Sequence, residues 1–251
     1  MKKIAALIFI LTFVMTGKPD GFAQVVVDVE IAPPAIPEYE QPPCPVDGYL
    51  WTPGYWGYGP AGYYWIPGVW LLPAEVGFLW TPGYWGFERG YYRWHGGYWG
   101  NHVGYYGGVH YGHGYDGDGY HGGRWEGGHF RYNTAVSNVN RRTVRNTYED
   151  RSVVNSRKPG GASYNGPRGT SAQQSAGHQA AAAERHATPT RTQESHERAA
   201  SRDVNKRAAV NNGHPSFPAR SAPARSAPSR SQPSRMSAPS HGGGGGGGHR
   251  R

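Results

Sequence analysis

The chain has 251 residues, of which 39 are Gly and 21 Pro, only 37% are hydrophobic, and the net charge is +9. That composition excludes a large aliphatic core, because Gly and Pro approach the share at which low complexity is the default and much of the apolar fraction is aromatic. The single cysteine excludes an internal disulfide and a thiolate zinc site, the usual staples of small exported domains.

Residues 1–23 read as a signal peptide: Lys2 and Lys3 precede an apolar run from Ile4 to Met15, and cleavage is expected after Ala23. The run is 12 residues long, short of the ~20 that a membrane-spanning helix requires. The expectation is an exported protein, in the periplasm, the cell envelope or outside the cell, with no integral membrane segment after cleavage. Residues 24–46 form a Pro-rich spacer in which Cys44, between Pro43 and Pro45, is expected to be an exposed spectator.

Residues 47–132 are an aromatic Gly/Tyr/Trp repeat region holding all nine Trp. Gly48-Tyr49-Leu50-Trp51-Thr52-Pro53-Gly54-Tyr55-Trp56 recurs with Trp65, Pro67, Gly68 and Trp70, then with Trp80, Pro82, Gly83 and Trp85. A fourth copy carries Trp94, Gly96, Gly97 and Trp99, and a worn copy runs from Trp125 to Phe130. The first Trp residues of the four full copies are separated by 14, 15 and 14 positions, and the paired Trp within a copy are five apart. A period this regular is the mark of a repeat architecture.

Tyr, Trp, Phe and Val suit a pleated, half-buried surface, and this density of Pro and Gly excludes helix. The fold expected is mainly β, a short antiparallel hairpin or meander built from Trp-x-Pro-Gly-x-Trp copies. Pro53-Gly54, Pro67-Gly68, Pro82-Gly83 and Gly96-Gly97 are the turn candidates, Pro fixing one φ and Gly accepting a positive one. A two-residue hairpin turn there would set Trp51 against Trp56. An L-Pro-Gly type II turn splays strands, however, so a corner with a looser ladder is the other possibility.

These copies resemble the YXWGXW (WXXGXW) repeat proteins of bacteria, a signal-peptide-bearing family with no established biochemical activity. Val139-Asn140, Asn146-Thr147-Tyr148, Ser152-Val153-Val154-Asn155 and Ser163-Tyr164-Asn165-Gly166 are similar to the Asn, Thr and Val-rich segment of related members. The resemblance extends over roughly residues 45–213. It implies an exported repeat protein and brings no catalytic residues.

Between 100 and 130 the chain is rich in Gly, Tyr and His. His110, His113 and His121 are candidate ligands for weak transition-metal binding, although their spacing matches no closed site, and no other cofactor is indicated. Gly112 to Gly117 and Gly117 to Gly122 fit G-x-G-x-x-G without the strand and helix that dinucleotide binding demands. His196-Glu197 is followed by Ala200 where a metalloprotease helix needs its second His. With no nucleophile elbow or phosphate loop either, the chain is expected not to be an enzyme.

Residues 133–170 read as an Asn/Thr/Val-rich extended segment and 171–213 as Ala/Gln/Glu/Arg-rich helices, with a start signal at Thr188-Pro189 and a stop at Gly213. Ala200, Val204 and Ala208 give the second helix only a thin apolar stripe. Residues 214–251 form a disordered Ser/Pro/Arg/Gly tail.

Charge divides along the same axis. Residues 24–130 carry 3 Arg against 10 Asp and Glu, a net of −7, whereas 131–251 carry 20 basic against 6 acidic residues, a net of +14. Such asymmetry marks an interaction tail. The function expected is an envelope or extracellular interaction scaffold. The Trp rings would stack on a cell-envelope polysaccharide and the basic half would engage an anionic polymer. Self-association between the two halves, weak metal binding and secreted nucleic-acid binding are the alternatives, the last opposed by the export signal and the lack of a recognition motif. Equally open is that the Trp rings simply form the core.

Overall fold

The computed structural model describes residues 28–154 and 161–216. The signal peptide and most of the 214–251 tail lie outside the described residues.

After β1 (Asp28–Val29), the first two copies supply β2 (Leu50–Thr52), β3 (Tyr55–Gly59), β4 (Gly62–Ile66) and β5 (Val69–Leu71). β3 pairs with β4 and β2 with β5, both antiparallel. Thr52↔Val69 and Tyr55↔Ile66 belong to one register, so Pro53-Gly54 lies opposite Pro67-Gly68 and the four strands form one long hairpin bent in the middle. The third and fourth copies repeat this with β6 (Leu79–Thr81), β7 (Tyr84–Glu88), β8 (Tyr91–His95) and β9 (Tyr98–Gly100). β7 pairs with β8 and β6 with β9, again in one register.

The repeat therefore pairs copy with copy. The expected hairpin turn at Pro-Gly, with Trp51 facing Trp56, is corrected: Trp51 faces Trp70 and Trp56 faces Trp65. Pro-Gly is the corner, and the chain reverses at the other connections. Pro60-Ala61 precedes Gly62 at φ 87°, and Arg89-Gly90 takes φ 53° and 93°. Both central residues of that second turn are left-handed, as a hairpin matching the strand twist demands, and Pro cannot adopt such a φ.

β10 (His110–Gly112) and β11 (Tyr115–Asp116) form a short ribbon, and β12 (Gly123–Glu126) pairs with β13 (His129–Asn133). In this last hairpin the pairing expected inside a copy does occur, Trp125 opposite Phe130. Gly127-Gly128, at φ 58° and 79°, makes it possible where Pro-Gly does not. β14 (Thr147–Tyr148) adds parallel to β13 and β15 (Tyr164–Asn165) parallel to β7, and β1 closes the other edge of β8.

The core is aromatic. Trp51–Trp70, Trp56–Trp65, Trp80–Trp99 and Trp85–Trp94 have ring centroids 5.3, 5.2, 5.2 and 5.4 Å apart, all tilted or edge-to-face. Such pairs contribute about 0.5–1.5 kcal/mol each beyond the area they bury. Residues 29–46 are a strap over this core. Trp56 Nε1 donates to Ala35 O at 3.0 Å, Trp70 Nε1 to Pro42 O at 2.7 Å and the Tyr63 hydroxyl to Ile31 O at 2.7 Å. The expected exposed Cys44 is corrected as well: its side chain is fully buried, and burial raises its thiol to about 12. It is enclosed because backbone N–H of Cys44 and Asn140 bond across to Asn138 O and Cys44 O, tying the strap to the segment after β13.

The back half folds onto the repeats. α1 (Ala176–Ala182), α2 (Arg191–Arg202) and α3 (Ala208–Asn211) lie in the window expected for helices. Thr190 caps α2 in a capping box with Gln193, and Asn212 at φ 53° and Gly213 at φ 76° end α3. Of the apolar stripe, Ala200 is buried against Tyr64 and Ile66, whereas Val204 is exposed.

Candidate functional site

α2 crosses the face where the Pro-Gly corners of both long hairpins meet, and between them lies a cleft of about 600 Å³. Thr52, Pro67 and Ile66 come from the first hairpin, Trp94, Gly97 and Tyr98 from the second. α2 contributes Gln193, Glu194, His196 and Glu197. The helix is held there by side-chain bonds. The Tyr55 and Tyr64 hydroxyls donate to the two oxygens of Glu197 at 3.2 and 3.5 Å, His196 Nε2 donates to Pro67 O at 2.7 Å, and Trp99 Nε1 to Gln193 Oε1 at 2.8 Å.

Burial sets the protonation states. It pushes the Tyr55 phenol well above its usual range, with the Glu197 carboxylate adding to the effect, and lifts Tyr64 to about 12 for the same two reasons. Burial also holds His196 below the usual imidazole range, against the opposing pull of its bond to Pro67 O. The two phenols and His196 are therefore neutral donors at pH 7. The acidic side chains lining the cleft are Glu194 and Glu197, and no Lys or Arg lines it. Its rings are already stacked in part, Tyr55 on Trp94 at 5.1 Å and Tyr98 on His186 at 3.8 Å.

Of the rings expected to stack on a ligand, Trp51, Trp56, Trp65, Trp70, Trp80, Trp85 and Trp99 are buried. Trp80, at 7% exposure, still lines the cleft, whereas the other six are at most 2% exposed. Trp94 is half-buried at the cleft, and Trp125 is half-buried with its Nε1 donating to Phe78 O at 2.9 Å. Pro53, Gly54, Pro67, Gly68, Pro82, Gly83, Gly96 and Gly97 interrupt the strands, and none of these glycines has a positive φ. Glycine is needed at four of them for space. A Cβ on Gly54 would collide with Trp65, on Gly68 with Trp51, on Gly83 with Trp94 and on Gly97 with Trp80.

The metal candidates include neighbours, since His110 is near enough to act on His113, but they form no group that could hold an ion. His110 lies 3.2 Å from Asp116, while His113 Nε2 is 3.2 Å from Tyr39 O with its ring against Trp51 and Tyr39. No group of three His, Cys, Asp or Glu fit to hold a metal exists among the described residues. The residues that build the cleft from the back half, Gln193 and Glu197 above all, carried no signal in the sequence beyond their place in a capped helix.

The family model of the WXXGXW repeat matches the chain in two copies, residues 47–70 and 76–86. The first match covers the first bent hairpin up to Trp70 of β5 and the second reaches from the loop before β6 into β7. Both lie inside the 45–213 range of the expected resemblance, which extends much further. No curated protein and no solved structure matches the chain.

Proposed function

We propose that this chain is a non-enzymatic, exported interaction scaffold of the cell envelope, in which the WXXGXW repeats supply a rigid body and basic side chains hold an anionic polymer. The observation that carries this reading is the division of its arginines. Some are paired within the fold: Arg93 reaches Asp28 at 2.8 Å and Arg185 reaches Glu75 at 2.6 Å. Arg141, Arg142 and Arg145, on the loop between β13 and β14, are exposed, and their guanidinium groups form no ion pair among the described residues, although the Arg145 backbone N–H donates to Asp47 Oδ2 at 3.4 Å. Unpaired guanidinium groups held on a folded surface suit diffuse, multivalent contact with phosphate or uronate groups.

The same division bears on self-association. Part of the attraction between the acidic front and the basic back is spent inside the chain, at Arg185–Glu75, 2.6 Å. For stacking on a neutral saccharide the repeats keep the half-buried Trp94 and Trp125, with the small exposed part of Trp80 beside Trp94 in the cleft.

Binding of the mature chain, residues 24–251, to an anionic polysaccharide is the test. We expect affinity to fall steeply with salt. Replacing Arg141, Arg142 and Arg145 together by Gln should weaken binding by about tenfold and flatten that dependence, since each charge-assisted contact is worth roughly 0.5 kcal/mol or more at an exposed site. Binding that resists salt and ignores the triple variant would overturn the reading in favour of ring stacking.

A further inference from the structure

The cleft beneath α2 has a chemistry that the polymer-binding surface does not use. Its two acidic side chains, Glu194 and Glu197, offer carboxyl oxygens as acceptors, and Tyr55, Trp80, Trp94 and Tyr98 line its wall. Arg198, exposed on the same helix, lies 3.6 Å from Glu194, and Lys206 is near enough to act on His196, but neither lines the cleft. An anionic, ring-lined cleft selects a ligand with a cationic head and an apolar stem, because the head gains from carboxylate and π-face together while the stem covers apolar wall. A guanidinium fits that description best, being planar and weakly hydrated.

The chain carries such a group in repeated form. Beyond Ser216 it has Arg220, Arg225, Arg230, Arg235, Arg250 and Arg251 and neither Asp nor Glu. The first four recur at intervals of five, each with a Pro two positions earlier, as in Pro223-Ala224-Arg225 and Pro228-Ser229-Arg230. The described chain also leaves the body beside the cleft. Arg207 bridges to Tyr64 of β4, and Lys206 Nζ donates to Ser216 O at 3.2 Å. Ser216 is thereby tethered next to the strand that ends at Ile66, a wall of the cleft. Nine residues to Arg225 span at most about 30 Å when extended, enough to turn back along α2.

We infer that the cleft between α2 and the Pro-Gly corners is a docking site for an arginine of the Pro-x-Arg copies at 218–235 of the same chain. The docked guanidinium lies against Glu194 and Glu197, with Trp94 and Tyr55 as its flat neighbours. This inference is independent of the polymer-binding reading, since it concerns a different face and a ligand of opposite charge.

A nitroxide on Ser229→Cys of the full mature chain tests it, because the buried Cys44 thiol is out of reach of the label. The indole N–H signal of Trp94 should broaden while that of Trp125, which lines a different cleft, should not. Replacing Arg220, Arg225, Arg230 and Arg235 together by Gln, all outside the described body, should restore the Trp94 signal, as should Glu194→Gln. Broadening that is equal at both rings, or that survives the arginine replacements, would overturn the proposal. So would broadening seen only between labelled and isotope-enriched molecules in a mixture, which would assign the cleft to a second copy.

Discussion

A glycine opposite a tryptophan is the smallest unit of this fold. At Gly68 a Cβ would strike the Trp51 ring, and the same holds for Gly54 with Trp65, Gly83 with Trp94 and Gly97 with Trp80. Each indole lies over the corner of the opposite strand, so the corner must be bare. Gly68→Ala should cost about 1–3 kcal/mol, the usual penalty of overpacking, in chemical denaturation of the mature chain. Pairing it with Trp51→Phe, which shortens the opposing ring, should recover part of that loss; strictly additive effects would show that the contact is not the cause. Gly62 is the contrast, at φ 87° with open space around its missing Cβ. Its replacement by Ala should cost about 1–2 kcal/mol through the backbone alone, and no ring substitution should relieve it. The sequence made Pro-Gly conspicuous, but the reason it suggested, a positive φ, is not the operative one. The contact that fixes these glycines joins residues 11 to 17 positions apart and leaves no local trace.

At the scale of elements, the bent hairpins follow from a conflict that was legible. L-Pro cannot enter the left-handed turn that a tight hairpin prefers, and the expectation of a corner as the other possibility rested on that. The identity of the partner strand was not legible. Trp residues five apart can pair within a copy or across to the next, and only the assembled ladder decides. The strap was misread for a related reason: Pro has no N–H for a ladder, so 24–46 looked like a spacer, whereas its carbonyls receive the indole donors. A helix after Thr188-Pro189 was legible, but its end at Arg202, well before the expected stop at Gly213, and its docking partners were not. Two imidazoles tie these elements to pH. His196 on α2 and His113 between β10 and β11 are both held neutral by burial, His113 down to about 4. A lowered histidine pKa means that the unfolded chain binds more protons. Stability is therefore full above about 6.5, the unfolded value, and is lost as pH falls from there toward the folded values. Melting temperature followed from pH 7 to pH 4 should fall accordingly, by up to about 3 kcal/mol of stability from His113. His113→Asn should flatten the lower part of that profile, and an unchanged profile in that variant would assign the loss elsewhere.

The whole molecule is an aromatic core assembled from repeats and then wrapped, on one side by the Pro-rich strap and on the other by the helical back half. With so little aliphatic material, rings do the work of a core, which is why seven of the nine Trp are buried rather than displayed. In the function proposed above, the repeats carry two features of the back half: the exposed arginines of the loop after β13 and the cleft beneath α2. The pairing of copy with copy is the claim on which all of this rests. Nuclear Overhauser contacts among tryptophan ring protons, in the mature chain with selectively labelled Trp, read it directly. The account predicts contacts between Trp51 and Trp70, Trp56 and Trp65, Trp80 and Trp99, and Trp85 and Trp94. Contacts of Trp51 with Trp56 and of Trp80 with Trp85 in their place would contradict it.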